Sequence, residues 1–274
     1  MTLDSHQHFW HYDPIRDSWI NEKMKVLKRD FLPKDLSPIS TENKIDGCIA
    51  VQADQSEAET NFLVQLALEN QFIKGVVGWI DLRAKNISER LDYFSQHKII
   101  KGYRHIVQAE DLGFMTQALF QNGIAQLEKR GLAYDILIYP HQLQEAFELV
   151  KKFPKQKFVV DHLAKPVIKE NEFAQWSKGI AQLSSREDIY CKLSGFTTEA
   201  DWKSWTKDTF TRYFDFALEH FGTKRLMYGS DWPVCLVAAS YTEQLNVVTD
   251  YISRLSLAEK QQIMGGNAVE FYNI

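Results

Sequence analysis

Short apolar runs alternate along this chain with stretches whose apolar residues recur at helical spacing. Leu3–Trp10 opens the series, and Asp46–Ala53 is the second run; Ser56–Phe72 follows it, with Phe62, Leu63, Leu66 and Ala67 on one helical face. Lys74–Leu82 and Ile99–Val107 come next, trailed by predicted helices over Ser88–His97 and Thr116–Arg130. Ala133–Tyr139, Lys157–His162, Asp188–Ser194 and Arg225–Ser230 bring the runs to eight. Helices are predicted over His141–Phe153, Glu172–Ser184, Trp202–Phe221, Tyr241–Leu255 and Leu257–Met264. Runs without polar alternation are strands buried on both faces, as in an all-parallel sheet. Eight such units in 274 residues predict a (β/α)8 barrel of the TIM type, in one domain spanning 1–274, rather than an open doubly wound sheet. No GxGxxG follows the first run, which argues against a dinucleotide-binding fold. One stretch breaks the rhythm. His11–Leu36, with Pro14 inside it and Pro33 and Pro38 as punctuation, is predicted to be a long aromatic loop that folds over something.

Composition adds exclusions. Apolar residues make up 45% and charged residues 25%, as in an ordinary globular chain. A net charge of −4 and the lack of a basic stripe exclude an electrostatic nucleic-acid binder. Cys48, Cys191 and Cys235 are too far apart for a metal-binding CxxC pair and are odd in number, so they read as buried thiols in a reducing compartment. No apolar run reaches the roughly 18 residues of a membrane span, and no signal peptide is apparent; a cytoplasmic protein is expected.

The strand ends carry the chemistry. His6 and His8 are two residues apart on one strand and therefore share a face. Arg104 and His105 fall late in the fourth strand and Tyr139 ends the fifth. His162 ends the sixth, Lys192 and Ser194 the seventh, and Asp231 the eighth. Barrel enzymes gather their reactive groups at this rim. If Arg104 faces the lumen, His105 faces away. Trp79 and Asp81 also share a face, where Trp79 reads as packing.

The segments LDSHQHFW, VVGWIDL, KGYRHIVQ, VVDHLAKP, YCKLSG, LMYGSDWP and GGNAVEFY resemble the amidohydrolase superfamily, and within it the sugar-lactonase branch. The resemblance covers nearly the whole chain. It implies opening of a sugar lactone to its aldonic acid, with L-fuconolactone the first candidate and L-rhamnonolactone the second. Asp231 is expected to be the general base for water, with His6, His8, His162 and Arg104 steadying the oxyanion. Tyr139 and Lys192 are expected to bind substrate, and Trp10 and Trp232 to form walls against a sugar ring. The chain departs from two-metal members: Gly102–Arg104 holds no bridging Lys or Glu, and Asp135–Tyr139 holds no His. The remaining choices are a single Zn²⁺ held by His6, His8 and Asp231, and metal-independent catalysis. Two rival readings stay open. One is a hydrolase or decarboxylase of another cyclic ester or acid, such as an aromatic-degradation lactone. The other is a non-catalytic barrel that binds a small molecule. Assembly into a homo-oligomer is compatible with either.

Overall fold

In the computed structural model, which describes residues 1–274, the eight runs become eight parallel strands in sequence order. They are β1 (Leu3–Gln7), β2 (Gly47–Val51), β3 (Ile73–Gly78) and β4 (Ile100–His105), then β5 (Ala133–Ile136), β6 (Phe158–Val160), β7 (Tyr190–Leu193) and β8 (Leu226–Tyr228). The sheet closes between its first and last strands: His8 N–H donates to the Trp232 carbonyl at 2.7 Å, and Asp231 N–H to the His6 carbonyl at 2.8 Å. Helices α1 (Pro33–Glu42), α2 (Glu57–Glu69), α3 (Ile87–Phe94), α4 (Ala118–Arg130), α5 (Leu143–Lys152), α6 (Ala174–Ser184) and α7 (Lys207–Phe221) connect successive strands. Three more, α8 (Tyr241–Tyr251), α9 (Leu257–Gln261) and α10 (Asn267–Tyr272), follow β8. No helix is long and apolar enough to cross a membrane.

The long-loop expectation needs correction at its end. Residues Glu22–Leu27 wind into tight helical turns, and α1 begins at Pro33, inside the predicted loop. The prolines misled the reading. Pro33 occupies the first helical turn, where its fixed φ fits and no N–H is missed, although Pro38 sits within the helix. The rest of the loop returns to the barrel through paired backbone bonds between Trp10 and Phe31, each 2.9 Å.

Two apolar layers surround the sheet. The larger lies between strands and helices. The smaller fills the bottom of the lumen with Leu3, Ile49, Val51, Val77, Val159 and Met227, sealed by Phe271 and Tyr272 of α10. Above it the lumen turns ionic. Lys192 Nζ lies 2.5 Å from Asp135 Oδ2 and 3.0 Å from Asp161 Oδ1, and Arg104 donates to Asp161 Oδ2 at 3.0 Å. All four side chains are buried. Burial by itself would raise the Asp161 carboxyl, but Lys192, His6 and Arg104 together hold it well below the usual range. Asp135 is pushed up to about 6 by burial, against the pull of Lys192.

The β2–α2 connection is held by another buried carboxylate, Glu59. Ser56 caps α2 by accepting from Glu59 N–H, and Glu59 accepts the Ala53 N–H at 3.0 Å. Burial raises Glu59 to about 7, against the Ala53 bond and Arg16 and with help from Asp54.

Because this folded value lies above the ordinary 4.5, the native state binds the extra proton. Stability is therefore lost as pH climbs from about 4.5 to about 7 and stays lost above it. Glu59→Gln, which keeps the acceptor, is expected to unfold at higher urea than the parent at pH 8, by roughly 2–3 kcal/mol, and to match it near pH 4. In the lumen, Lys192→Met leaves Asp135 without a cation and Asp161 with Arg104 alone, and is expected to cost roughly 3–5 kcal/mol in urea melts at pH 7.5. Adding Asp135→Asn should recover part of that loss; an unchanged midpoint in the single variant would show that the cluster is not held by Lys192.

Candidate active site

The mouth above the ionic layer is a cavity of about 330 Å³, lined among others by His8, Arg104, His162 and Asp231. Local backbone devices aim these groups. The register between β1 and β2 slips between Asp4 and Gln7, so His6 enters the lumen although Leu3 already lies there. Past β6, His162, Leu163, Ala164 and Lys165 all take left-handed φ values of 50–56°. Such a run costs roughly 1–2 kcal/mol per residue. It swings His162 and Lys165 to the cavity, whereas simple alternation from Val159 would have presented Asp161 alone. Asp231 is left-handed too, at 55°. Gly195 makes room: with φ of +62°, a Cβ there would sit 2.5 Å from His162 Nδ1.

The imidazoles are oriented from behind. His8 Nδ1–H donates to the Val51 carbonyl at 2.8 Å, which leaves Nε2 as a lone pair facing the mouth. His6 Nδ1 lies 3.2 Å from Asp161 Oδ1 and 3.1 Å from Lys192 Nζ. Arg104 donates to His6 Nε2 at 3.2 Å, so Nε2 also presents a lone pair and Nδ1–H points toward the carboxylate. His162 Nδ1 bonds the Ser194 hydroxyl at 2.8 Å. Its Nε2 faces Asp231 Oδ1 at 3.8 Å.

Burial lowers His162 to about 4, against the attraction of Asp231 and Asp161. Burial likewise drives His6 well below its ordinary value, although Asp161 opposes it. Asp231 would be raised by burial, but His162 and hydrogen bonding to His8, with His6 adding, bring it below the usual carboxylate range. At neutral pH Asp231 is thus ionised beside an uncharged His162.

The same geometry suits a cation. His6 Nε2 and His8 Nε2 are 3.2 Å apart, and Asp231 Oδ1 lies 3.3 Å from the second and 3.8 Å from the first. Tetrahedral zinc with bonds of about 2.0–2.1 Å spaces its ligands by about 3.3 Å. Two lone pairs and a carboxylate oxygen converge here, with Arg104 donating to one of them. His6, His8 and Asp231 are therefore a ligand set that fits.

The other expected contacts divide. Trp10 lines the cavity, its indole N–H fixed to the Arg29 carbonyl at 2.9 Å. Trp232 does not: its ring is buried against Phe9 and Phe31, because the chain turns as it closes the barrel. Lys192 does face the lumen, but beneath His6 and fully enclosed, so it is out of reach of a ligand. Tyr139 stands off the cavity lining and touches the site only through Lys165, whose Nζ is 5.5 Å from its ring centre. His105 lies outside the lumen, bonded to Glu110 at 2.7 Å and stacked on Phe114.

Sequence reasoning missed Asp135, Asp161 and Lys165. Period-two spacing from Ala133 and Val159 marks both acids as inward. Nothing local marks Lys165, whose placement rests on the left-handed turn. Trp19 from the long loop also walls the cavity, and Gln108 contributes a buried Oε1 without a protein partner.

Comparison with known proteins shows the family. The L-fucono-1,5-lactonase of Burkholderia multivorans is 39% identical over 284 aligned residues, covering 99% of this chain and 96% of the relative. That of Burkholderia ambifaria is 28% identical, covering 99% and 95%. A crystal structure of a Burkholderia multivorans amidohydrolase with bound zinc superposes with a TM-score of 0.96 at 38% identity, over 100% of this chain and 99% of that one. The family profile described as Amidohydrolase matches residues 3–274, and the chain belongs to that family.

Proposed function

We propose that this protein is a lactonase that hydrolyses a sugar lactone, L-fucono-1,5-lactone first among them, to the aldonic acid. The observation that carries the reading is the convergence of ionised Asp231 with His8 and His162, and with His6 behind them, at a cavity walled by Trp10 and Trp19. Relatives named as L-fucono-1,5-lactonases support the choice of substrate.

In this reading Asp231 takes a proton from water as the water oxygen bonds to the lactone carbonyl carbon. Arg104 N–H groups meet the oxyanion that develops. The ring C–O bond then breaks, and the proton held by Asp231 passes to the departing alkoxide, leaving a hydroxy acid. Trp10 and Trp19 hold the apolar face of the sugar and keep bulk water from the reacting carbonyl. His6, His8 and Asp231 are the residues that would hold zinc. When bound, such an ion supplies Lewis-acid polarisation of the carbonyl.

A pH-indicator assay over a panel of sugar lactones is expected to show acid release, greatest on L-fuconolactone; no release above background on any lactone would end the reading. Asp231→Asn is expected to lower kcat by about 10²–10⁴-fold while circular dichroism stays unchanged. Elemental analysis before and after chelation, read together with His8→Asn, assigns the ligand set. Metal content should fall in the variant if His8 holds the ion.

A further inference from the structure

Each cation near the cavity already has a carboxylate on it. Arg104 is paired with Asp161, and Lys192 is sealed below with Asp135 and Asp161. Lys165 is the one cation that the strand ends did not foreshadow. Its side chain lines the cavity beside His162 and Asp231, and its Nζ lies 3.1 Å from Glu199 Oε1. Glu199 itself does not line the cavity. It stands in the β7–α7 connection and faces a separate open groove, also lined by Lys169 and Trp202. The pair therefore lies between the two spaces, Lys165 lining the cavity and Glu199 the groove.

Both partners are fixed. Lys165 is placed by the left-handed run from His162, and its N–H bonds the His162 carbonyl at 2.8 Å. The Glu199 carbonyl accepts Lys169 N–H at 3.0 Å, tying the two connections together. The side chains are 17% and 19% exposed, so the pair is shielded without being sealed. Tyr139, Asp231 and His162 also interact electrostatically with Lys165. An ammonium has three donors, and Glu199 engages one side of it. The remaining donors suit sugar hydroxyls, as does the unpartnered Oε1 of Gln108.

We propose that Glu199 sets the charge specificity of the site by covering Lys165, so that the cavity accepts a neutral polyhydroxylated lactone and disfavours one that carries a carboxylate. This deepens the lactonase reading and rests on it for the nature of the substrate. The covered ammonium acts as a hydroxyl donor. With the cover removed, the same ammonium becomes an anion site. Hydrolysis itself turns a neutral ligand into a carboxylate, so a cavity without a free cation also sheds its product.

The test compares the parent with Glu199→Gln, Lys165→Met and the double variant. Two lactones are used, D-galactono-1,4-lactone, which is neutral, and D-glucaro-1,4-lactone, which carries a carboxylate. Glu199→Gln is expected to raise the ratio of kcat/KM for the charged over the neutral lactone about tenfold. Affinity for D-galacturonate, read by titration calorimetry, should rise by a similar factor and decline with added salt. Lys165→Met should weaken KM for the neutral lactone more than kcat, and the double variant should lose both gains. An unchanged ratio with unchanged galacturonate affinity in folded Glu199→Gln would overturn the proposal. Glu199→Ser gives the same reading if the Gln variant does not fold. If the parent opens neither of these two, L-fuconolactone serves as the neutral lactone; if it opens no lactone at all, the lactonase reading fails, and galacturonate binding still decides whether Glu199 covers an anion site.

Discussion

The site depends on how the first strand of the barrel meets the last. His6 and His8 lie at one end of the chain and Asp231 near the other, and nothing local brings them together. Two backbone bonds do so, His8 N–H to the Trp232 carbonyl and Asp231 N–H to the His6 carbonyl. Asp4 strengthens the seam from the outer face. It accepts from Ser230 N–H at 2.9 Å, from His6 N–H at 3.1 Å and from the Tyr241 hydroxyl at 3.0 Å. The residues that close the sheet are thus the residues that build the mouth. Opening the seam would separate Asp231 from the imidazoles even with every helix in place.

The ionic layer beneath is a costly way to fill a lumen, since buried charges repay their desolvation only when well paired. A Leu or Met layer would serve stability as well. What hydrocarbon would not do is orient His6. Asp161 holds the Nδ1 proton, Arg104 lies against Nε2, and Lys192 neutralises the carboxylates that do this work. Tyr272 bonds Asp135 from α10, so the last helix locks the cluster from below at 2.7 Å. The lumen is therefore graded, with an apolar floor, a paired ionic layer above it and a reactive mouth at the top.

Polar pairing also sets the character of that mouth. Asp231 is ionised beside His162, which burial keeps uncharged at neutral pH. A charged base next to neutral rings suits proton abstraction from water followed by return of the proton to a leaving oxygen. In the proposed reading, the apolar faces of Trp10 and Trp19 and the covered ammonium of Lys165 would meet a sugar ring that is apolar on its C–H face and hydroxylated at its edge.

Much of this was legible in the residues. Hydrophobic period alone gave eight strands in order, because each strand is buried on both faces and so needs an unbroken apolar run. The shared face of His6 and His8 followed from the geometry of an extended chain. Arg104 facing in and His105 facing out followed in the same way. Two kinds of information were absent. One was backbone irregularity: the slip in β1, the left-handed turn from His162 to Lys165 and the helix begun by Pro33 are departures that no period records. The other was depth. Period two distinguishes inward from outward but not floor from mouth, so Lys192 read as a substrate contact although it is sealed beneath His6, and Trp232 read as a wall although barrel closure turns it into the core. Which face a side chain takes is a property of a few neighbouring residues. How deep it lies, and what charge covers it, is decided only when all eight strands are assembled.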